Sequence, residues 1–119
     1  MKFSKEHEWV KLEGNTATIG ITDYAAHQLG DIVFVELPNK GSKFEQNKVF
    51  GTIESVKTVS DVYAPMSGEV IEVNDELDAN PALVNEDPTG KGWIVKIKIS
   101  DPKEYDQLLD EAAYKATCE

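Results

Sequence analysis

The sequence contains no arginine. All 12 of its basic residues are lysines, and they are outnumbered by 22 acidic residues, which leaves a formal net charge of −10. Nucleic-acid binding relies on a basic face and on guanidinium groups that pair with phosphates, so this composition argues against a nucleic-acid partner. The same excess of negative charge argues against binding to anionic membranes. It favours partners that present basic docking surfaces, because such surfaces attract an acidic protein.

Cysteine and long apolar segments are also scarce. The single cysteine, Cys118, cannot form an internal disulfide, which is typical of a reducing compartment, and we interpret it as an incidental residue rather than a catalytic thiol. No apolar run is long enough for a transmembrane helix, and residues 1–8 lack the apolar core of a signal peptide. We therefore expect no membrane partner and a cytoplasmic location, or the mitochondrial matrix if the chain is eukaryotic and has lost a transit peptide.

The sequence does contain a succession of short apolar runs separated by turn residues. They predict strands at 9–12, 16–21, 31–37, 49–53, 59–64, 69–73 and 93–99. After the second of these, Thr22 or Asp23 can cap a short helix that ends at Gly30. Short strands at regular spacing predict a mainly β fold, a β-sandwich or flattened barrel of two small sheets.

The C-terminal part predicts helix rather than strand. Pro102 suits the first position of a helix, and the apolar residues after it recur at helical spacing, which predicts one helix over about 102–115. The stretch 74–92 is rich in Asn, Asp, Pro and Gly and is expected to be mostly loop, with Leu83-Val84 anchoring its middle to the core. A chain of 119 residues is expected to form a single domain, 1–119.

Lys57 is the most informative single residue, because it lies between two predicted strands that form one hairpin. Its turn, Lys57-Thr58, lacks the Asn-Gly or Asp-Gly pair that supplies positive φ in two-residue hairpins, so a type I-like or slightly wider turn is predicted. Three interpretations are open: a solvated turn lysine, a Schiff-base lysine in a desolvated pocket, and an attachment point for a carried group. The flanking Glu54 and Asp61 argue against the desolvated pocket and offer charges that a modifying enzyme can recognise. The residue types alone do not decide whether Lys57 carries a lipoyl group, a biotinyl group or no group.

The surrounding residues closely resemble the glycine cleavage system H protein family. The resemblance covers nearly the whole chain, in the family's order, through residues 7–10, 19–25, 29–38, 51–70, 68–74 and 92–97. Biotin carriers typically place methionine on both sides of their lysine, where this chain has Val56 and Thr58. Lipoyl domains of 2-oxo acid dehydrogenases usually lack the His-Glu-Trp segment and the C-terminal helix. The resemblance therefore implies a lipoyl carrier with the barrel-sandwich hybrid fold.

The resemblance implies a carrier rather than an enzyme. Lipoate attached covalently to Lys57 would receive an aminomethyl group at a pyridoxal-phosphate glycine decarboxylase and deliver it to a tetrahydrofolate-dependent aminomethyltransferase. Dihydrolipoamide dehydrogenase would reoxidise the dithiol, and a lipoate ligase or lipoyl transferase would attach the cofactor. A monomer is expected. A lipoyl relay to other enzymes and an unmodified interaction module are the two alternatives.

The resemblance also implies an acidic surface cleft that receives the lipoyl arm. It places His7, Glu8 and Asp61 along this cleft, where Glu8 or Asp61 would accept a hydrogen bond from the loaded amine. A solvated surface is the alternative interpretation of these acids. Glu6 stands where some relatives have a small polar residue. The two histidines of the chain, without further ligand-spaced residues, do not predict a metal site.

Overall fold

A computed structural model describes residues 1–118 of the chain. Its strands are β1 (Lys2–Phe3), β2 (Glu8–Glu13), β3 (Thr16–Ile21), β4 (Ile32–Glu36), β5 (Lys43–Phe44), β6 (Val49–Ser55), β7 (Val59–Tyr63), β8 (Gly68–Val73) and β9 (Val95–Ile99). Its helices are α1 (Asp23–Leu29), α2 (Glu76–Ala79), α3 (Leu83–Glu86), α4 (Lys103–Asp106) and α5 (Glu111–Thr117). None of these helices is long and apolar enough to cross a membrane.

The strands form two antiparallel sheets. One has six strands in the order β1-β2-β3-β9-β8-β5, and the other has three in the order β4-β6-β7. Both sheets contribute to one apolar core, in which Ile19 and Ile97 of the larger sheet are buried together with Val35 and Ile53 of the smaller one. The predicted mainly β architecture of two sheets is confirmed, and within residues 1–118 no strand ladder joins the two sheets into a closed barrel.

The first hairpin and the first helix form as the sequence predicts. In the β2–β3 pair Trp9 lies opposite Gly20, and a Cβ at Gly20 would be 2.6 Å from Nε1 of the indole, so only glycine fits there. The helix α1 starts at the predicted cap, because Thr22 Oγ1 accepts the N–H of Ala25. Gly30 ends it with a φ of 79°, a conformation that favours glycine.

The predicted continuous C-terminal helix over 102–115 is wrong, because α4 and α5 are separate. Leu109 lies between them and pairs with Phe3 of β1, and two N–H to C=O hydrogen bonds of 2.8 Å run in opposite directions between the two residues. This strand-like pairing requires an extended backbone and therefore interrupts the helix. Asp110 then restarts it as an N-cap, since its Oδ1 accepts the N–H of Ala113 at 2.8 Å.

The stretch 74–92 is more regular than the predicted loop, since it contains α2 and α3. Its ends are tied by Asn74, whose Nδ2 donates to the carbonyls of Lys91 and Trp93, both at 2.8 Å. Leu77 and Val84 are fully buried, so each one-turn helix is held on the core by an apolar side chain. The expected anchoring by Leu83-Val84 is confirmed, because Val84 is buried in the core and the half-buried Leu83 packs against it.

Candidate functional site

β6 and β7 form the predicted hairpin, with Lys57 at its tip. Ser55 closes the turn, because its N–H donates to the Thr58 carbonyl at 2.7 Å while its Oγ accepts the N–H groups of Lys57 at 3.3 Å and Thr58 at 3.1 Å. Neither Val56 nor Lys57 has a positive φ, so this is not one of the glycine-dependent hairpin turns. The turn is centred on Val56-Lys57, one residue earlier than predicted.

A turn from another part of the chain supports this tip. The N–H of Val56 donates to the carbonyl of Asp31 at 3.0 Å. Asn85 of α3 binds the backbone on both sides of Asp31. Its Nδ2 donates to the carbonyl of Gly30 at 2.8 Å, and its Oδ1 accepts the N–H of Ile32 at 2.9 Å. The Lys57 side chain lies over Gly30, where an added Cβ would be 3.6 Å from the lysine Cε. Asn85 therefore fixes the backbone of residues 30–32, which supports the hairpin tip that carries Lys57.

The Lys57 amine is accessible. The side chain is exposed, and within residues 1–118 it takes part in no ion pair. Glu54 and Asp61 are also exposed, and their strand register places them on the same face of the smaller sheet, Glu54 opposite Val59 and Asp61 opposite Thr52. This environment is wet and acidic, so it does not supply the desolvated pocket that a Schiff-base lysine needs.

A cleft of about 570 Å³ lies between β7 and α1 and brings together His7, Glu8 and Asp61. Its wall on the β7 side includes Val59, two residues beyond Lys57. Leu29 lines the opposite wall and immediately precedes Gly30, over which the lysine side chain lies. The cleft therefore extends from the neighbourhood of Lys57 to the His7-Glu8 pair, and Glu6 lies along it as well.

The helical wall of the cleft is a part of the site that sequence reasoning missed. It is built by Tyr24, Ala25, Gln28 and Leu29 of α1. Tyr24 and Gln28 are four positions apart, as are Ala25 and Leu29, so each pair shares one face of the helix. That spacing was visible in the sequence, but only the packing of α1 beside β7 assigns the face to a cleft.

Glu8 is a buried acid with only 2% of its surface exposed. Ser4 Oγ donates to its carboxyl group, and the N–H of Tyr63 does so at 3.4 Å. Burial raises the pKa of Glu8 from 4.5 to about 8; the Ser4 and Tyr63 hydrogen bonds oppose this rise, and the charge of Glu6 adds to it. The solvated-surface interpretation is therefore wrong for Glu8, whereas it describes the exposed Asp61.

His7 adopts an unusual backbone conformation at the edge of the cleft. Its φ is 69°, a left-handed conformation that costs a non-glycine residue about 1 kcal/mol. Its carbonyl accepts the N–H of Thr22 at 3.0 Å, and its Nδ1 lies 2.8 Å from the hydroxyl of Tyr114. Its ring packs against Tyr24 with centroids 4.7 Å apart. Within residues 1–118 no group of three or more His, Cys, Asp or Glu side chains is placed to hold a metal ion.

Two packed sheets, an exposed hairpin lysine and an adjacent cleft define a lipoyl-carrier-like fold. The crystal structure of a glycine cleavage system H protein from Mycobacterium marinum has this fold, with a TM-score of 0.86 and 34% identity, covering 97% of this chain and 93% of that one. Glycine cleavage system H proteins of Symbiobacterium thermophilum and Staphylococcus carnosus are 58% identical over 116 residues and 56% identical over 115 residues. These matches cover 98% and 97% of this chain and 91% of each relative. A family model described as Glycine cleavage H-protein matches residues 1–119. The chain belongs to the glycine cleavage H-protein family.

Proposed function

We propose that this protein is a lipoyl carrier of the glycine cleavage system, with lipoate joined to Nζ of Lys57 through an amide bond. Membership of the H-protein family supports the general role. The observation that supports Lys57 as the attachment site is its exposed amine at a hairpin tip held by hydrogen bonds. The cleft beside it begins at Val59, two residues further along the chain. In this role the chain carries a reacting group and is not itself a catalyst.

The residues present suit a lipoyl arm. An exposed amine can be acylated without unfolding the hairpin, and Val59 and Leu29 offer apolar surface along which the hydrocarbon part of the arm can lie. When bound, lipoate supplies the disulfide–dithiol pair that takes up and releases the aminomethyl group. We propose that Glu54 and Asp61, exposed on the same face as each other and close to Lys57 in the chain, are recognised by the lipoate ligase or lipoyl transferase.

Within the cleft, Glu8 and Asp61 offer carboxyl oxygens to a cationic amine. Ser4 and Tyr63 orient the Glu8 carboxyl group, and its burial keeps bulk water away from it. With a pKa of about 8, Glu8 is mostly protonated at neutral pH. It must therefore release its proton to form an ion pair with the amine, which couples docking of a loaded arm to proton release.

The partners proposed for this carrier are enzymes that each act on the lipoyl arm. They are the pyridoxal-phosphate glycine decarboxylase, the aminomethyltransferase, dihydrolipoamide dehydrogenase and the enzyme that attaches lipoate. The net charge of −10 favours basic docking surfaces on these enzymes. We further propose that residues 1–119 act as one monomeric domain in the cytoplasm, and that tethering raises the effective concentration of the carried group at each enzyme.

Intact-mass analysis tests the attachment site. Incubation of the protein with lipoate, ATP and a lipoate ligase should add one lipoyl group, and Lys57→Arg should prevent the addition. Lys48→Arg is the matched control, because Lys48 is an exposed lysine of the same hairpin region, and this variant should still be modified. A lipoyl group on the Lys57→Arg variant, or none on the wild-type protein, would refute the proposed site.

Exchange of labelled carbon dioxide into the glycine carboxyl group tests the function. In the presence of the glycine decarboxylase, lipoylated protein should support this exchange far better than unlipoylated protein. Equal exchange with both forms would contradict the role of the lipoyl arm, even if the attachment site is correct.

A further inference from the structure

A hydrogen-bond network connects the C-terminal helix α5 to the cleft. Tyr114 is 5% exposed, and its hydroxyl lies 2.6 Å from Thr22 Oγ1 and 2.8 Å from His7 Nδ1. Thr22 Oγ1 also accepts the Ala25 N–H at 3.2 Å, as the cap of α1. The Tyr114 ring is stacked on Phe3 with centroids 4.7 Å apart, so the phenol is held in this position.

The donors and acceptors of this network determine where each hydroxyl proton lies. The Thr22 hydroxyl is buried, and within residues 1–118 its proton has one acceptor, the Tyr114 oxygen, since its other partner is itself an N–H donor. The phenol proton of Tyr114 then has two acceptors within reach, Nδ1 of His7 at 2.8 Å and the sulfur of Cys118. The imidazole nitrogen is the stronger acceptor, so the proton points to Nδ1 of His7. A ring nitrogen that accepts a hydrogen bond carries no proton, so the neutral imidazole has its proton on Nε2.

The surroundings of Tyr114 agree with this order. Burial raises the pKa of the Tyr114 phenol above its ordinary value, so the hydroxyl keeps the proton that it donates. A hydrogen bond to the Cys118 thiol, which packs against the same aromatic cluster, raises this pKa further. Sulfur is a weaker acceptor than an imidazole nitrogen, so His7 remains the preferred acceptor of the phenol proton.

We infer that Tyr114 is a positioning residue that fixes His7 as the Nε2–H tautomer and so gives the cleft a hydrogen-bond donor. His7 lines the cleft, and its ring packs against the rings of Tyr24 and Tyr114 with centroid separations of 4.7 and 5.6 Å. Within residues 1–118 its side chain has no hydrogen-bond partner other than Tyr114. Nε2 is therefore free to donate to a ligand in the cleft.

The tautomer decides which part of the arm His7 can bind. An Nε2–H group donates to an acceptor atom of the arm and cannot accept a hydrogen bond from a cationic amine. The amine is left to Glu8 and Asp61, the two acids of the same cleft. The identity of this ligand rests on the proposed function, whereas the tautomer does not.

Nitrogen NMR of the full-length, unmodified protein tests the tautomer. At a pH where the imidazoles are neutral, His7 should show a pyridine-like Nδ1 and a pyrrole-like Nε2, whereas His27, which is exposed on α1, should show averaged tautomers and serves as an internal control. Tyr114→Phe should move the His7 resonances toward those of His27, and Thr22→Ser, which keeps the hydroxyl, should leave them in place. A protonated Nδ1 in the wild-type protein, or unchanged resonances in Tyr114→Phe, would overturn the inference. The wild-type spectrum decides the tautomer even if Tyr114→Phe folds poorly.

The same spectra of lipoylated protein test the donor role. The His7 Nε2 resonance should shift in at least one state of the arm, oxidised, reduced or loaded, relative to unmodified protein. An unchanged resonance in all three states of protein shown by mass to be fully lipoylated would overturn the donor role alone. Failure of lipoylation would instead refute the proposed function and leave the tautomer standing.

Discussion

Replacing Glu8 by Gln should make the protein more stable at neutral pH. Glu8 is buried, and its charged form is disfavoured there, so the folded protein holds the proton of this acid more tightly than the unfolded chain does. Gln resembles the protonated acid in shape and is always neutral. It still offers a carbonyl oxygen to the Ser4 hydroxyl, which donates to the Glu8 carboxyl group in the wild-type protein, and it loses only the long contact of 3.4 Å from the Tyr63 N–H.

The size of the effect follows from the shift of the Glu8 pKa from 4.5 to about 8. Because the folded pKa is raised, the stabilisation from the bound proton is fully present below pH 4.5 and is lost as the pH rises through 8. Within this window the free energy of unfolding of the wild type should fall relative to Glu8→Gln by up to about 1.4 kcal/mol per pH unit. Between pH 5 and 7 the expected relative loss is roughly 2 to 3 kcal/mol.

Urea unfolding at a series of pH values between about 4 and 9 measures this difference. The control is Glu45→Gln, which removes a carboxylate from an exposed position and should leave the pH dependence nearly parallel to that of the wild type. Parallel curves for wild type and Glu8→Gln across the whole window would refute the reasoning, because they would mean that Glu8 titrates alike in the folded and unfolded states.

Three further predictions concern the lysine turn. Asn85→Ala removes two hydrogen bonds to the turn that holds the Val56 N–H, so we expect a loss of about 1 to 3 kcal/mol of stability, faster hydrogen exchange at Val56 and slower lipoylation. Ser55→Ala leaves the turn N–H groups of Lys57 and Thr58 without their side-chain acceptor. It should lower the rate of lipoylation clearly while changing the melting temperature only slightly. Glu54→Gln should lower kcat/KM for lipoylation without changing stability, and the effect should shrink as salt is added.

Matched variants distinguish these effects from general damage to the fold. Asn80→Ala changes an exposed asparagine of the same segment and should leave both the stability and the exchange at Val56 unchanged. Glu45→Gln should not alter lipoylation. A Glu45→Gln variant that loses as much lipoylation rate as Glu54→Gln would point to net charge rather than to recognition of Glu54.

The features that the sequence determined are local ones. The cap at Thr22, the stop at Gly30 and the first hairpin formed where the pattern of turn residues and apolar alternation predicted them. The absence of glycine or asparagine at the lysine turn correctly predicted a turn without positive φ. Each of these depends on the conformational preferences of a few neighbouring residues, and such preferences are written directly in the sequence.

Other features were decided only by tertiary structure. The break in the C-terminal helix depends on the pairing of Leu109 with Phe3. The support beneath Lys57 depends on Asn85, whose two hydrogen bonds join residues that are 53 and 55 positions apart in the chain. The resemblance placed Glu8 at a cleft, but its raised pKa comes from its burial in the folded protein. The sequence determined which groups exist and how the local backbone turns. Desolvation, hydrogen-bond partners and the interruption of a helix were decided by which distant segments pack together, because these energies depend on surroundings that no short pattern specifies.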